Sequence, residues 1–307
     1  MESEEGLALP PDAIDGRRRP GGLPPEVWTA PACGASLDPM QERRLHPGLA
    51  GLVHRVVGYD YRVDPRAVHH GVPGPGVTVI ISFDEPLDLQ WHGEPSTREQ
   101  HWLLASGLHT RPVLIYTHGV QRGVQLDLTP AGCRALLGVP AAAIARGLAP
   151  HAELPRGVTP ELHERLWAST WHERFRLLEE HLLALRADAG DAGGEVPADL
   201  ARAWRLLERH HGRLGVAELA REVGWSRRHL STRFAAEFGM TPQDVRRLHR
   251  FGAAIALART GRAWADVASA AGYADQAHLS RDFHELSGQT PTQWRREVFP
   301  ILQDEPA

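Results

Sequence analysis

Lysine is absent from this 307-residue chain, and cysteine occurs only at Cys33 and Cys133. Two thiols so far apart exclude the disulfide framework that holds small secreted domains together, and both are expected to be reduced. No apolar run approaches the ~20 residues that a membrane-spanning helix needs. The N-terminal stretch MESEEGLALPPDAIDG is acidic and lacks a hydrophobic secretion segment, so the expected location is the cytoplasm, away from membranes. Enzyme signatures are also missing: there is no Ser-His-Asp arrangement, phosphate-cradling glycine loop or dinucleotide fingerprint.

What is present is arginine, unevenly spread. Residues 197–299 carry a net charge of +5, residues 1–196 carry −7, and the tail acids Asp304 and Glu305 supply the rest of the −4. A GC-rich genome also produces an all-arginine bias. The split is nevertheless what an acidic sensor joined to a polyanion-binding part requires.

Punctuation along the chain divides it further. Residues 1–35, with RRRPGGLPP at their centre, read as a disordered lead-in. Short apolar or alternating stretches then recur at Leu52–Tyr61, Val77–Phe83, Val113–Thr117 and Val124–Leu128. With PGPG at 73–76 and HGVQRG at 118–123 between them, they predict a small antiparallel barrel or sandwich within 36–187. Thr129-Pro130 and Thr159-Pro160 each open a helix, and Thr170 with Glu173 forms a capping box. The helix after Thr170 carries Phe175, Leu178, Leu182 and Leu185 on one stripe, which must bury against the barrel or against a second copy in a homodimer. ADAGDAGGEVP reads as a linker at 188–197, followed by a domain at 198–299 and a tail at 300–307.

That domain says almost the same thing twice. Ala220, Gly224 and Trp225 match Ala268, Gly272 and Tyr273 at an offset of 48. After one inserted residue, His229, Leu230, Ser231, Phe234, Gly239, Thr241, Pro242 and Arg246 match His278, Leu279, Ser280, Phe283, Gly288, Thr290, Pro291 and Arg295 at an offset of 49. Each copy reads as a helix-turn-helix. A short apolar-faced helix ends at Gly224 or Gly272, Ser226 or Asp275 caps the next, and Leu230/Phe234/Phe238 or Leu279/Phe283/Leu286 face inward.

Arg227, Arg228, Ser231 and Thr232 then point outward from the first second-helix, and Gln276, Ala277, Ser280 and Arg281 from the other. Outward side chains at such helix starts meet base edges, and arginine on guanine or glutamine on adenine is worth roughly 1–3 kcal/mol of discrimination. Between the copies, Thr241-Pro242 starts a helix predicted to reach Arg259, a rod of about 27 Å. Such a rod suits two recognition helices one turn of duplex apart. A protein-binding bundle would bury the same leucines and phenylalanines, but gives no reason for basic residues at both helix starts.

GYADQAHLSRDFHELSGQTPTQWRR resembles the C-terminal hallmark of the AraC/XylS family of bacterial transcription regulators. The resemblance rests on Gly272-Tyr273, Leu279-Ser280-Arg281, Phe283, Gly288, Thr290-Pro291 and Arg295, and spans 198–299. It implies an α+β chain: a cupin-like N-terminal β-barrel with flanking helices, then an all-α domain of seven helices. It also implies that the third and sixth of those helices contact bases of double-stranded DNA, here through Arg228, Ser231, Thr232, Gln276, Ala277 and Arg281. Leu279 stands where the family often has an aromatic, and Ser231 and Thr232 are shorter than many readers at those places. The implied partners are DNA, a small-molecule effector or a second copy at the N-terminal domain, and RNA polymerase for an activator; no cofactor is implied.

The alternative is a metal-dependent cupin-type enzyme, or a small-molecule-binding protein, fused to a DNA-binding domain. His54, His69, His70, His92, His101, His109 and His118 lie in the barrel region, yet none forms an H-x-H pair followed by a carboxylate. His69 and His70, adjacent on a strand, would face opposite sides. Trp91, Trp102, Tyr116 and His118 could line an effector pocket or pack as core.

Overall fold

The computed structural model describes residues 40–189 and 195–297. The expected lead-in, Cys33, the middle of the expected linker and the tail lie outside the described residues.

Among the described residues, ten strands form two facing antiparallel sheets. They are β1 (Met40–Glu42), β2 (Val53–Arg62), β3 (Val68–Gly71), β4 (Val77–Ser82), β5 (Leu87–Trp91), β6 (Glu99–His101), β7 (Leu103–Ser106), β8 (Val113–Tyr116), β9 (Val120–Leu128) and β10 (Leu148–Pro150). The larger sheet runs β1-β2-β9-β4-β7-β10 and the smaller β3-β8-β5-β6. Interspersed and following are α1 (Pro130–Gly132), α2 (Ala141–Ile144), α3 (Pro160–Ala168) and α4 (Trp171–Ala189).

Period-two alternation gives the larger sheet two buried faces. Val77, Val79 and Ile81 of β4 and Val124, Leu126 and Leu128 of β9 pack in one core with Leu162, Leu166, Phe175, Leu178 and Leu182 of α3 and α4. Ile80 and Leu104 turn the other way and meet Leu87, Leu89, Val113 and Ile115 of the smaller sheet. The alternation therefore does not separate core from water. It separates a helix-covered face from a sheet-covered one, so Gln125 (3% exposed) and Asp127 (6% exposed) are interior residues.

One expectation is corrected here, and two are made specific. HGVQRG is not a wide turn, because β9 begins at Val120 and pairs continuously with β2 from Val120↔Arg62 to Asp127↔Arg55. Only His118-Gly119 turns. The helix opened by Thr129-Pro130 continues after Gly132 as a π turn over Cys133–Leu137. The stripe of α4 is covered by its own chain: Phe175, Leu178 and Leu182 belong to the barrel-side core, and Trp171 and Phe175 lie against Gly58 of β2. Leu185, the last residue of the stripe, is half-buried at its edge.

Seven helices follow among the described residues: α5 (Ala198–Arg209), α6 (Val216–Glu222), α7 (Arg227–Phe238), α8 (Pro242–Arg259), α9 (Trp264–Ala271), α10 (Gln276–Ser287) and α11 (Pro291–Glu297). The caps are those expected. Ser226 accepts from the His229 amide and Asp275 from the His278 amide, while Thr241 and Asp244 form a full capping box on α8. Val245, Leu248, Phe251 and Ile255 of α8 are all buried.

Buried histidines make the fold acid-sensitive. Burial pulls His109 and His151 down to about 4, with repulsion from His181 adding to the latter. It pulls His249 down to about 3, with His54 and His211 adding. Folded, these rings stay neutral well below the ordinary histidine value of ~6.5, whereas the unfolded chain takes up protons there. Their contribution is whole above pH ~6.5 and is lost as pH falls towards 4, at about 1.4 kcal/mol per pH unit for each ring. Urea-unfolding midpoints should therefore drop steeply from pH 6.5 to 4.5 and change little from pH 7 to 8. Replacing His249 with Gln should flatten the acid limb.

Candidate nucleic-acid interface

The two helix-turn-helix copies agree in details beyond their helices. Gly224 (φ +72°) and Gly272 (φ +82°) both hold the left-handed conformation at the turn, where a side chain would be strained. Trp225 meets the His229 ring edge-on with centroids 4.6 Å apart and an 85° interplanar angle. The equivalent Tyr273 and His278 do the same at 5.1 Å and 85°. Each recognition helix is thus pinned at its first turn by the residue after the turn glycine.

The eight side chains singled out in the sequence lie on the outer surface of α7 and α10. Arg227, Arg228, Thr232, Gln276, Ala277 and Arg281 are exposed, and Ser231 and Ser280 are half-buried. Arg227, Arg228 and Ser231 line one open concavity together with Val216 of α6 and Gln243 of α8. Gln243 escaped the sequence reading because it lies outside the helix-turn-helix grammar, on the first turn of the long helix. Among the described residues, Arg227, Arg228 and Arg281 make no ion pair, which leaves their charge open to an external anion. Other arginines of this domain are committed to the fold. Arg247 pairs with Asp282 of α10 at 2.8 Å and with Glu285, and Arg250 lies over the Tyr273 ring. These contacts tie the second recognition helix to the long helix. Part of the charge excess of the domain thus lies within the fold rather than on its open faces.

The β-rich domain holds the far end of both recognition helices. Arg134 donates two 2.8 Å bonds to Glu237 near the end of α7, and a methyl on Gly239 would collide with Ala145. At the repeat-equivalent point of α10, the Nδ1 of His70 bonds the Ser287 carbonyl at 2.8 Å, and a methyl on Gly288 would sit 3.1 Å from that ring nitrogen. Gly239 and Gly288 are both left-handed C-caps, so each helix ends where the other domain begins.

The barrel histidines are dispersed among such contacts. His54 faces Glu208, His101 faces Glu99, His109 faces Ser106 and His118 faces Asp88. Among the described residues no three His, Cys, Asp or Glu side chains converge as a metal site requires. A partly open cavity of about 100 Å³ does lie between the two sheets, bordered by the Gly71–Gly76 segment and by Gly252 and Ile255 of α8. Trp91, Trp102, Tyr116 and His118 take no part in it; Tyr116 instead bonds Gln90, and Trp102 packs on His163.

Fold and site together define a two-domain helix-turn-helix protein. Residues 219–297 match the family described as "Helix-turn-helix domain". An uncharacterised HTH-type transcriptional regulator of Staphylococcus aureus strain MRSA252 is 35% identical over 101 residues, which cover 32% of this chain and 14% of that one. A second from strain MSSA476 is 34% identical over the same length and shares. The match thus takes in about a seventh of these curated relatives. In three dimensions the chain is similar to unsaturated-fatty-acid-bound wild-type ToxT of Vibrio cholerae. The TM-score is 0.50 at 10% identity, covering 80% of this chain and 96% of that one. A second ToxT crystal form gives 0.50 at 11%, covering 78% and 98%. At such identity the likeness establishes the two-domain fold. The C-terminal domain is of the AraC type, a double helix-turn-helix.

Truncating Arg281 should lower affinity for the specific site by about 1–3 kcal/mol and relax preference at one base position. Binding titrations of Arg281→Ala on a site and its single-base variants measure both effects. Equal affinity on every variant site would remove Arg281 from base contact.

Proposed function

We propose that the chain is a cytoplasmic, sequence-specific transcription regulator. In this reading α7 and α10 enter successive major grooves of double-stranded DNA, and the β-rich domain controls them. The observation that carries it is the pair of matched recognition helices, with unpaired Arg227, Arg228 and Arg281 at their exposed starts, held on one long helix. Arg227 and Arg228 serve phosphates or guanine, Gln276 and Arg281 serve base edges, and Ser231, Thr232, Ala277 and Ser280 set the fit. The unit that carries this activity is taken as 198–299, with 188–197 as linker and 36–187 as the controlling domain.

The controlling role is supported by the contacts at Glu237, Gly239, Ser287 and Gly288 and by the cavity against α8. An effector in that cavity would act on the helices without a catalytic step, so the protein is read as a non-enzyme. RNA polymerase is the further partner if the regulator activates. Among the described residues no helix is long and apolar enough to cross a membrane.

Phosphate contacts release counterions, so log affinity should fall linearly with log salt. With about six phosphates engaged, specific affinity should drop roughly 10³-fold between 50 and 200 mM salt. Genome-wide occupancy mapping of the intact protein supplies the site, and titration at four salt concentrations gives the slope. A flat response, or occupancy without an extractable motif, would overturn the reading.

A further inference from the structure

The cavity between the sheets has a definite chemical character. Its walls are chiefly apolar, with Ile80, Leu89, Leu104 and Ile115 contributing from both sheets. Its polar lining consists of Thr78, Gln125 and Asp127 together with the Ser106–His109 pair, whose side chains bond each other at 3.2 Å. Asp127 is fully engaged: Oδ1 accepts from Thr78 Oγ1 at 3.2 Å and from Gln125 Nε2 at 2.9 Å, and Oδ2 accepts from Arg55. Arg55 lies on the far side of that carboxylate, both partners being under 10% exposed. The bond to Asp127 also fixes the Gln125 amide, because the flipped orientation would set its oxygen against a carboxylate oxygen. The Oε1 of Gln125 is left buried with no hydrogen-bond partner. A buried acceptor in a cavity wall calls for a donor from whatever fills the cavity.

Size and charge narrow the occupant. About 100 Å³ is of the same order as the ~150 Å³ apolar cavity that accommodates benzene, and the cavity is partly open, so a compact body of single-ring size suits it. No arginine lines the cavity, the chain has no lysine, and burial keeps the His109 ring in its wall neutral, so a carboxylate entering it would meet Asp127 without a cation of its own. An ammonium group gains little, because the lone pairs of Asp127 are taken and its charge is matched by Arg55. We propose that this cavity is a binding site for a compact, uncharged molecule of phenol type: an apolar body with one hydroxyl that donates to Gln125 Oε1. The site deepens the regulatory reading above, since Gly252 and Ile255 of α8 form part of its wall, and it rests on that reading only for its consequence on DNA.

Isothermal titration of the full-length protein with phenol, toluene and benzoate tests the assignment directly. Phenol should bind at least about tenfold more tightly than toluene, the difference being the bond to Gln125, and benzoate should show no binding. Gln125→Leu should erase the advantage of phenol over toluene, and Ile80→Phe, which fills the cavity, should abolish both. Equal binding of phenol and toluene to the wild type, binding of benzoate as tight as phenol, or no binding of phenol would each overturn the proposal. These wild-type comparisons decide it even if a variant fails to fold. Titration of operator DNA without any phenol tests the regulator reading separately: failure there with phenol bound as expected would leave the site standing and remove only its regulatory meaning.

Discussion

The burial of one face of α8 is the constraint on which the rest depends. Val245, Leu248, Phe251 and Ile255 recur at helical spacing and are fully or almost fully buried, each stabilising the fold by about 1.5–3 kcal/mol relative to exposure. Because this helix must lie in the core along its whole length, the two helix-turn-helix copies attached to its ends have little freedom to rotate against each other. Arg247 and Arg250 reinforce the arrangement through Asp282. The same helix offers Gly252 and Ile255 to the cavity between the sheets, so a single packed rod both carries the two helix-turn-helix copies and borders that cavity.

A second consequence of close packing is that the β-rich domain touches the recognition helices at equivalent points. Left-handed glycine ends let another backbone approach closely, and both copies end that way. The Arg134–Glu237 pair and the His70–Ser287 bond occupy these two places. The repeat therefore does more than duplicate an outward-facing helix start. It duplicates the handle by which the other domain holds that helix, and the handles lie at the opposite helix ends from Arg227, Arg228 and Gln276.

Much of this was legible beforehand. Ser226, Asp275 and Thr241 were readable as caps because an N-cap depends on residues within one helical turn. The outward position of Arg228 and Gln276 followed from the inward spacing of Leu230/Phe234/Phe238 and Leu279/Phe283/Leu286. The β-rich half was less legible. Its strands were located, yet the stretch Val124–Leu128 by itself does not tell which cover Gln125 and Asp127 meet. The cavity they serve was missed, and Trp91, Trp102, Tyr116 and His118 drew attention instead. A polar pair at alternate positions of a strand otherwise made of valine and leucine was the available signal.

Local spacing alone established the twofold repeat, its caps and turns, the basic outward faces and the presence of a strand-rich acidic partner domain, because these depend on neighbours three to five residues apart. Three-dimensional packing chose which layer covers the second face of the larger sheet, turned the stripe of α4 inward, and set Gln125 across from the smaller sheet. Those outcomes depend on contacts between segments far apart in the chain, such as Asp127 with Arg55 and Glu237 with Arg134, and no short window of sequence encodes which distant surface arrives first.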